Sequence, residues 1–165
     1  HPARKSPSRM PTLVIFDLNG TLVETGQTLT PEMAILLSQL LAAVPVAIIS
    51  SSTLAQFLKQ VVAKLPDDAH LSNLHLLPSS GAALYDYRDG EWHKVYEEIR
   101  AVEKDYGVHA ICQRLRLRES EALFVGDGLS TGGNDEAVYK TEVETRKVKG
   151  PVETELVIKI LLAGA

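Results

Sequence analysis

Four short runs of almost unbroken apolar residues, at 12–16, 46–49, 74–77 and 122–125, constrain the fold more than any other feature of this chain. A strand that is apolar on both faces must be covered on both, which happens in parallel sheets flanked by crossover helices. Helical patterns occupy the gaps. Thr30-Pro31-Glu32 supplies an N-cap, a first-turn proline and an early acid for a helix that runs through Leu41. Ser52 or Thr53 caps a second helix reaching Lys64, and "DYGVHAICQRL" at 105–115 reads as a third. A more polar run at 143–148 gives a fifth strand, after which Gly150-Pro151 opens a last helix with Val152, Leu156, Ile160 and Val157 as its buried stripe. The expected fold is a three-layer, Rossmann-like α/β domain with a doubly wound parallel sheet. "ALYDYRDGEWHKVY" at 83–96 breaks the rhythm: it alternates around Asp89-Gly90, so a β-hairpin is expected to project from the α/β body.

The 165 residues suit one domain, placed at 11–165. The opening "HPARKSPSRM" is basic but lacks the apolar stretch of a secretory signal, so residues 1–10 read as a disordered leader or an added remnant. A net charge of -4 argues against a nucleic-acid partner. The longest apolar stretches, 34–49 and 157–163, are interrupted and fall short of the ~20 residues of a membrane span. Cys112 is the sole cysteine, which excludes a disulfide framework, makes a reducing cytoplasm the default location, and places Cys112 itself in a helix core.

Ligands of doubly wound sheets bind outside the carboxyl ends of the strands. The first run ends in Asp17-Leu18-Asn19-Gly20-Thr21, the second in Ser50-Ser51-Ser52-Thr53, and the fourth in "GDGLSTGGND" at 126–135, while Lys104 precedes the third helix. Taken singly, these are a turn, a helix-capping cluster and a solvated lysine. Together they suit phosphoryl transfer. Asp17 would attack phosphorus, and Mg2+ would sit among oxygen ligands such as Asp17, a backbone carbonyl and Asp127. A hydroxyl and Lys104 would hold the phosphate.

"FDLNGTL", the serine run, the lysine before a helix and "GDGLSTGGND" resemble, in order, the four motifs of the haloacid dehalogenase superfamily. The "GD" followed by "GGND", the "LPSSGAALYDYRDG" segment and the closing "VKGPVETELVIKIL" are similar to its phosphomannomutase-like branch and that branch's bacterial sugar-phosphatase-like relatives. The resemblance implies that Asp17 becomes an aspartyl-phosphate. It makes the Asn19 carbonyl, Asp127 and Asp135 ligands of Mg2+ beside Asp17, with Asn134 completing or orienting that shell. Ser50 or Ser51 would bind phosphate with Lys104, Ser50 being the preferred match, and Thr21 would steady the loop within the same phosphate-binding group. The implied substrate is a phosphorylated small molecule such as a sugar phosphate.

Two departures matter. Asn19 stands where family phosphatases and mutases carry an aspartate that protonates the leaving oxygen and then activates water, and an amide cannot shuttle a proton at neutral pH. Only "EEIRAVE" separates Tyr96 from Lys104, where the resembled branch inserts a cap domain over the sugar. A capless core implies a natural member acting on bulky substrates, a homo-oligomer whose neighbour covers the site, with the Trp92 region as a contact, or a shortened protein. The expected activity is a Mg2+-dependent phosphomonoester phosphatase slowed by Asn19. The alternatives are a non-catalytic module that binds a phosphoryl ligand and the remnant of a phosphomannomutase-like phosphomutase.

Overall fold

The computed structural model describes residues 10–164; apart from Met10, the expected leader lies outside the described residues. In chain order the elements are β1 (Leu13–Phe16), α1 (Pro31–Leu41), β2 (Val46–Ile49), α2 (Leu54–Gln60), β3 (Leu74–Leu77), β4 (Ala83–Arg88), β5 (Glu91–Glu97), α3 (Lys104–Leu115), β6 (Ala122–Gly126), β7 (Glu144–Lys147) and α4 (Pro151–Ala163). They form one seven-stranded sheet in the order β5-β4-β3-β2-β1-β6-β7. The pairs β3–β2, β2–β1, β1–β6 and β6–β7 are parallel. From β1 the chain builds outward through β2 and β3, then returns to add β6 on the other side. The carboxyl ends of β1 and β6 therefore flank a topological switch point, the usual place for a ligand crevice in an open α/β sheet.

Alternation along β1 supplies both cores. Val14 and Phe16 pack with Met33, Leu37 and Leu40 of α1, Phe57 of α2 and Ile158 of α4. Leu13 and Ile15 face the opposite layer, with Val108, Ile111 and Cys112 of α3 and Phe124 of β6. Thr30 caps α1 by accepting the Met33 N–H at 3.1 Å, as its sequence requires. Thr53 is the cap of α2, and Gln56 completes a reciprocal capping box, but this helix stops at Gln60 and a short 3-10 turn follows at Val62–Lys64.

Of the stripe expected on α4, Val157 is buried, whereas the other three residues lie one helical row away from the face that packs. Thr154, Val157 and Ile158 are buried, whereas Val152, Leu156 and Ile160 are 73%, 53% and 59% exposed. Both rows have helical spacing, and a threonine interrupts the true one. Thr154 tolerates burial because its hydroxyl donates to the Gly150 carbonyl at 3.2 Å.

The hairpin forms where the sequence places it. Asp89 and Gly90 both take positive φ (54° and 79°), the pattern of a type I′ turn. Rather than standing free, β4 joins β3 antiparallel, so the hairpin continues the sheet edge. His75 of β3 and Asp86 of β4 pair at 2.6 Å, and Arg114 of α3 reaches Asp86 at 3.1 Å. Burial pushes the Asp86 carboxyl upward, but its bonds to His75 and Arg114 prevail and hold it below the usual carboxylate range. Trp92 is half-buried against the first core and meets Tyr87 edge-on, with 5.0 Å between ring centroids.

Candidate active site

Asp17 follows β1 directly, anchored by its N–H to the Val125 carbonyl of β6 at 3.0 Å. Its side chain is therefore delivered to the switch point. A tight loop follows, in which the N–H groups of Thr21, Leu22 and Val23 all turn back to the Leu18 carbonyl. Gly20 takes a φ of 84°, and a Cβ there would run into the Asp127 carboxylate. Glycine thus lets the loop after β6 close against the loop after β1. Thr21 joins them: its hydroxyl accepts the Asp127 N–H at 3.0 Å and lies 3.4 Å from Asp17 Oδ2 and 3.3 Å from Asp127 Oδ1. Its one proton is shared between the two carboxylates.

Lys104, the first residue of α3, is 4% exposed and points inward. Its Nζ donates to Asp17 Oδ1 at 2.8 Å and to Asp135 Oδ1 at 2.5 Å. Asp135 is wholly buried and accepts the Gly128 N–H at 2.9 Å through its other oxygen. One oxygen from each of Asp17, Asp127 and Asp135 lies within 4.8 Å of the others. With all three ionised and Lys104 protonated, the cluster carries two uncompensated negative charges. A hard divalent cation with oxygen ligands matches both that deficit and the donor set, which contains neither sulfur nor imidazole.

The same imbalance appears in the acid–base behaviour of Asp17. Burial is the main cause raising it to about 7; Lys104 pulls it down, and Asp135 and a hydrogen bond that the protonated Asp17 donates to Asp127 add to the rise. Lys104 is lowered by burial, but Asp17 and Asp135 outweigh this and leave it raised, so it holds its proton. A cation at the carboxylates would replace the proton that Asp17 otherwise retains.

Of the serines after β2, Ser50 and Ser52 are buried and Ser51 is exposed. Ser50 and Ser52 meet at 3.0 Å between hydroxyls, and Asn19 Nδ2 approaches Ser52 Oγ at 3.4 Å. Asn19 Oδ1 accepts from Gly26 N–H at 3.0 Å and from Gln60 Nε2 at 3.1 Å. The sequence offers Ser52 both as a helix cap and as one of the serines that could meet phosphate, and gives no sign of Gln60. Nothing in the pattern of α2 sets that glutamine apart, although it is buried. Asn134 lies exposed beside Lys104 in the wall of a cleft of about 490 Å³, together with Ser80, Tyr139 and Lys140. Residues 98–103 alone connect β5 to α3 next to this cleft.

An IMP-nucleotidase of Plasmodium falciparum superposes with a TM-score of 0.79 at 13% identity, covering 93% of this chain and 68% of that one. This chain has the haloacid dehalogenase fold. The same fold relates it to a trehalose-6-phosphate phosphatase related protein, with a TM-score of 0.63 and 11% identity over 91% of this chain and 96% of the other. In sequence it is 31% identical over 97 residues to a probable phosphomannomutase of Caenorhabditis elegans, a match covering 59% of this chain and 37% of the relative. No family model matches the sequence. In the haloacid dehalogenase fold as this chain builds it, Asp17, Asn19, Thr21, Ser50, Lys104, Asp127 and Asp135 converge on one edge of the sheet, while Ser51 faces outward. Among the described residues no helix is long and apolar enough to cross a membrane.

Proposed function

We propose that the chain is a Mg2+-dependent phosphomonoester hydrolase that works through an aspartyl-phosphate on Asp17 and is slowed by Asn19. The observation that carries the reading is the cluster of three carboxylates, two of them buried, that share one lysine between them and so carry a deficit of positive charge when ionised. Asp17, Asp127 and Asp135, with the Asn19 carbonyl, would hold Mg2+, which when bound supplies electrostatic stabilisation to the phosphoryl oxygens. Asp17 Oδ attacks phosphorus, the bond to the leaving oxygen breaks, and the phosphoryl group rests on Asp17 until water removes it. Lys104 neutralises the nucleophile and the transferred group, Ser50 steadies the phosphate side of the site, and Thr21 holds the loops after β1 and β6 together. Neither step has a proton shuttle at position 19.

The similarity to a probable phosphomannomutase and to phosphatase folds supports a phosphorylated small molecule as substrate, sugar phosphates included. We assign residues 11–165 to a single core without a cap between β5 and α3. A phosphomutase fits less well, since a mutase must reorient a bisphosphorylated intermediate away from water and only residues 98–103 stand where a cap would enter. Asn19 itself favours a second reading, a binding module that holds a phosphoryl ligand without turnover.

The raised Asp17 gives a measurable consequence. Mg2+ must displace a proton at pH values below about 7, so its affinity, read by calorimetry, falls on going from pH 8 to pH 6, while chelation of Mg2+ abolishes phosphate release. In the metal-free protein the native state binds more protons than the unfolded chain between the ordinary carboxylate value and about 7, so this group makes stability decline as pH rises through that window. Mg2+ reverses the trend. Affinity independent of pH from 6 to 8 would contradict the cluster as the metal site.

A further inference from the structure

We propose that Ser52 is a positioning residue, and that Asn19 acts through it to turn the Ser50 hydroxyl proton toward a bound phosphate. The inference rests on the phosphate-binding reading of the site and adds two functions to it: a relay, and a role for asparagine beyond the loss of an acid.

The amides that begin the relay are oriented by groups whose roles are fixed. Gly26 N–H only donates, so the atom of Asn19 facing it at 3.0 Å is Oδ1, and Nδ2 faces Ser52. The Gln27 carbonyl only accepts, so the atom of Gln60 facing it at 2.7 Å is Nε2, the same nitrogen that donates to Asn19 Oδ1 at 3.1 Å. Two backbone groups thus orient both amides. Ser52 Oγ accepts from Asn19 Nδ2 at 3.4 Å; the 3.0 Å contact between the two serine hydroxyls can run either way, and in the proposed relay Ser52 is its donor and Ser50 Oγ its acceptor. Ser50 Oγ also accepts the Ser52 N–H at 3.2 Å. With both acceptor positions filled from inside, the Ser50 hydroxyl has one thing left to offer, its proton, and it offers it at the sheet edge that carries Asp17.

An aspartate at position 19 reverses every link. One carboxylate oxygen still accepts from Gly26 and Gln60, but the other accepts from Ser52 Oγ–H. Ser52 then accepts from Ser50, whose proton is turned away from the anion. Asn19 therefore exchanges a proton shuttle for a stronger hold on phosphate. Gln60 ties residue 19 to the end of α2 in either case.

A double-mutant cycle tests the relay, with calorimetric titration of inorganic phosphate into protein saturated with Mg2+. Asn19→Asp raises the phosphate Kd by about tenfold or more, the weight of one hydrogen bond to a charged group. Ser52→Ala alone raises it only a few-fold, because Ser50 can still rotate its proton toward the anion. In the Ser52→Ala background, Asn19→Asp loses most of its effect, leaving only the direct repulsion of the added charge. Far-UV circular dichroism and Mg2+ affinity confirm that each variant is folded with its carboxylates in place. Equal effects of Asn19→Asp in both backgrounds overturn the relay and leave phosphate binding intact. Absence of phosphate binding by the unaltered protein overturns the relay and the functional reading together.

Discussion

Asn19→Asp raises magnesium-dependent release of phosphate from a small phosphomonoester by about a hundredfold or more, the range expected when a general acid–base group is restored. The substitution is close to isosteric and needs no repacking, because the Gly26 N–H and Gln60 Nε2 that bond to the amide oxygen bond equally well to a carboxylate. The gain lies in the chemical steps: protonation of the leaving oxygen, and activation of the water that removes the phosphoryl group from Asp17. It appears in kcat and not as tighter substrate binding, since the aspartate weakens the phosphate contact made through Ser50. Steady-state kinetics of the two proteins on one substrate separate these effects. An unchanged or lower kcat in the variant would place the slow step elsewhere than at position 19.

Lys104→Met destabilises the metal-free protein by about 3–5 kcal/mol at pH 8, the cost of leaving buried charges without their partner. Lys104 Nζ is the shared cation of Asp17 and Asp135, and all three side chains are almost fully buried. Without it two carboxylates face each other in a poorly solvated site, which they relieve by taking up a proton or binding a cation. The penalty, measured by urea unfolding, is therefore largest in chelator at alkaline pH and shrinks at acid pH or in excess Mg2+. Phosphate release is lost under all of these conditions. A penalty below about 1 kcal/mol in chelator would mean that Lys104 is solvated like a surface lysine and is not the counter-charge of the site.

The strands were readable because their apolar content is nearly continuous, and α1 because its cap, proline and acid coincide at residues 30–32. The Asp89-Gly90 turn was readable because few residues tolerate two successive positive φ values. The side of α4 that packs was not, since periodicity gives a helix face only up to rotation and the buried Thr154 looks polar in sequence. The site followed the same division. Asp17 and Asp127 directly follow β1 and β6, Asp135 closes the glycine-rich loop after β6, and strand ends converge in this topology, so their meeting could be inferred. Lys104 could be named from its place before a helix and from the motif order, but that its Nζ turns inward to Asp17 and Asp135 depends on the direction in which α3 begins, set where Gly107 packs against Gly81: a Cβ on either glycine would collide with the backbone of the other. Ser52 and Gln60 gain their meaning from hydrogen bonds across 33 and 41 positions of chain to Asn19, and no local pattern announces these.

The most direct test of the account is to look for the phosphoryl group on Asp17. With a nitrophenyl phosphate the leaving group needs no proton, so the first step proceeds without an acid, whereas removal of the phosphoryl group still lacks its base at Asn19. In the presence of Mg2+ the account predicts a burst of nitrophenolate equal to the enzyme present. After acid quench, mass spectrometry should find one phosphoryl group on the peptide containing Asp17, and neither signal in Asp17→Ala or in chelator. A protein that binds Mg2+ and phosphate but gives neither the burst nor the labelled peptide would contradict nucleophilic catalysis by Asp17 and leave the binding module as the function of this fold.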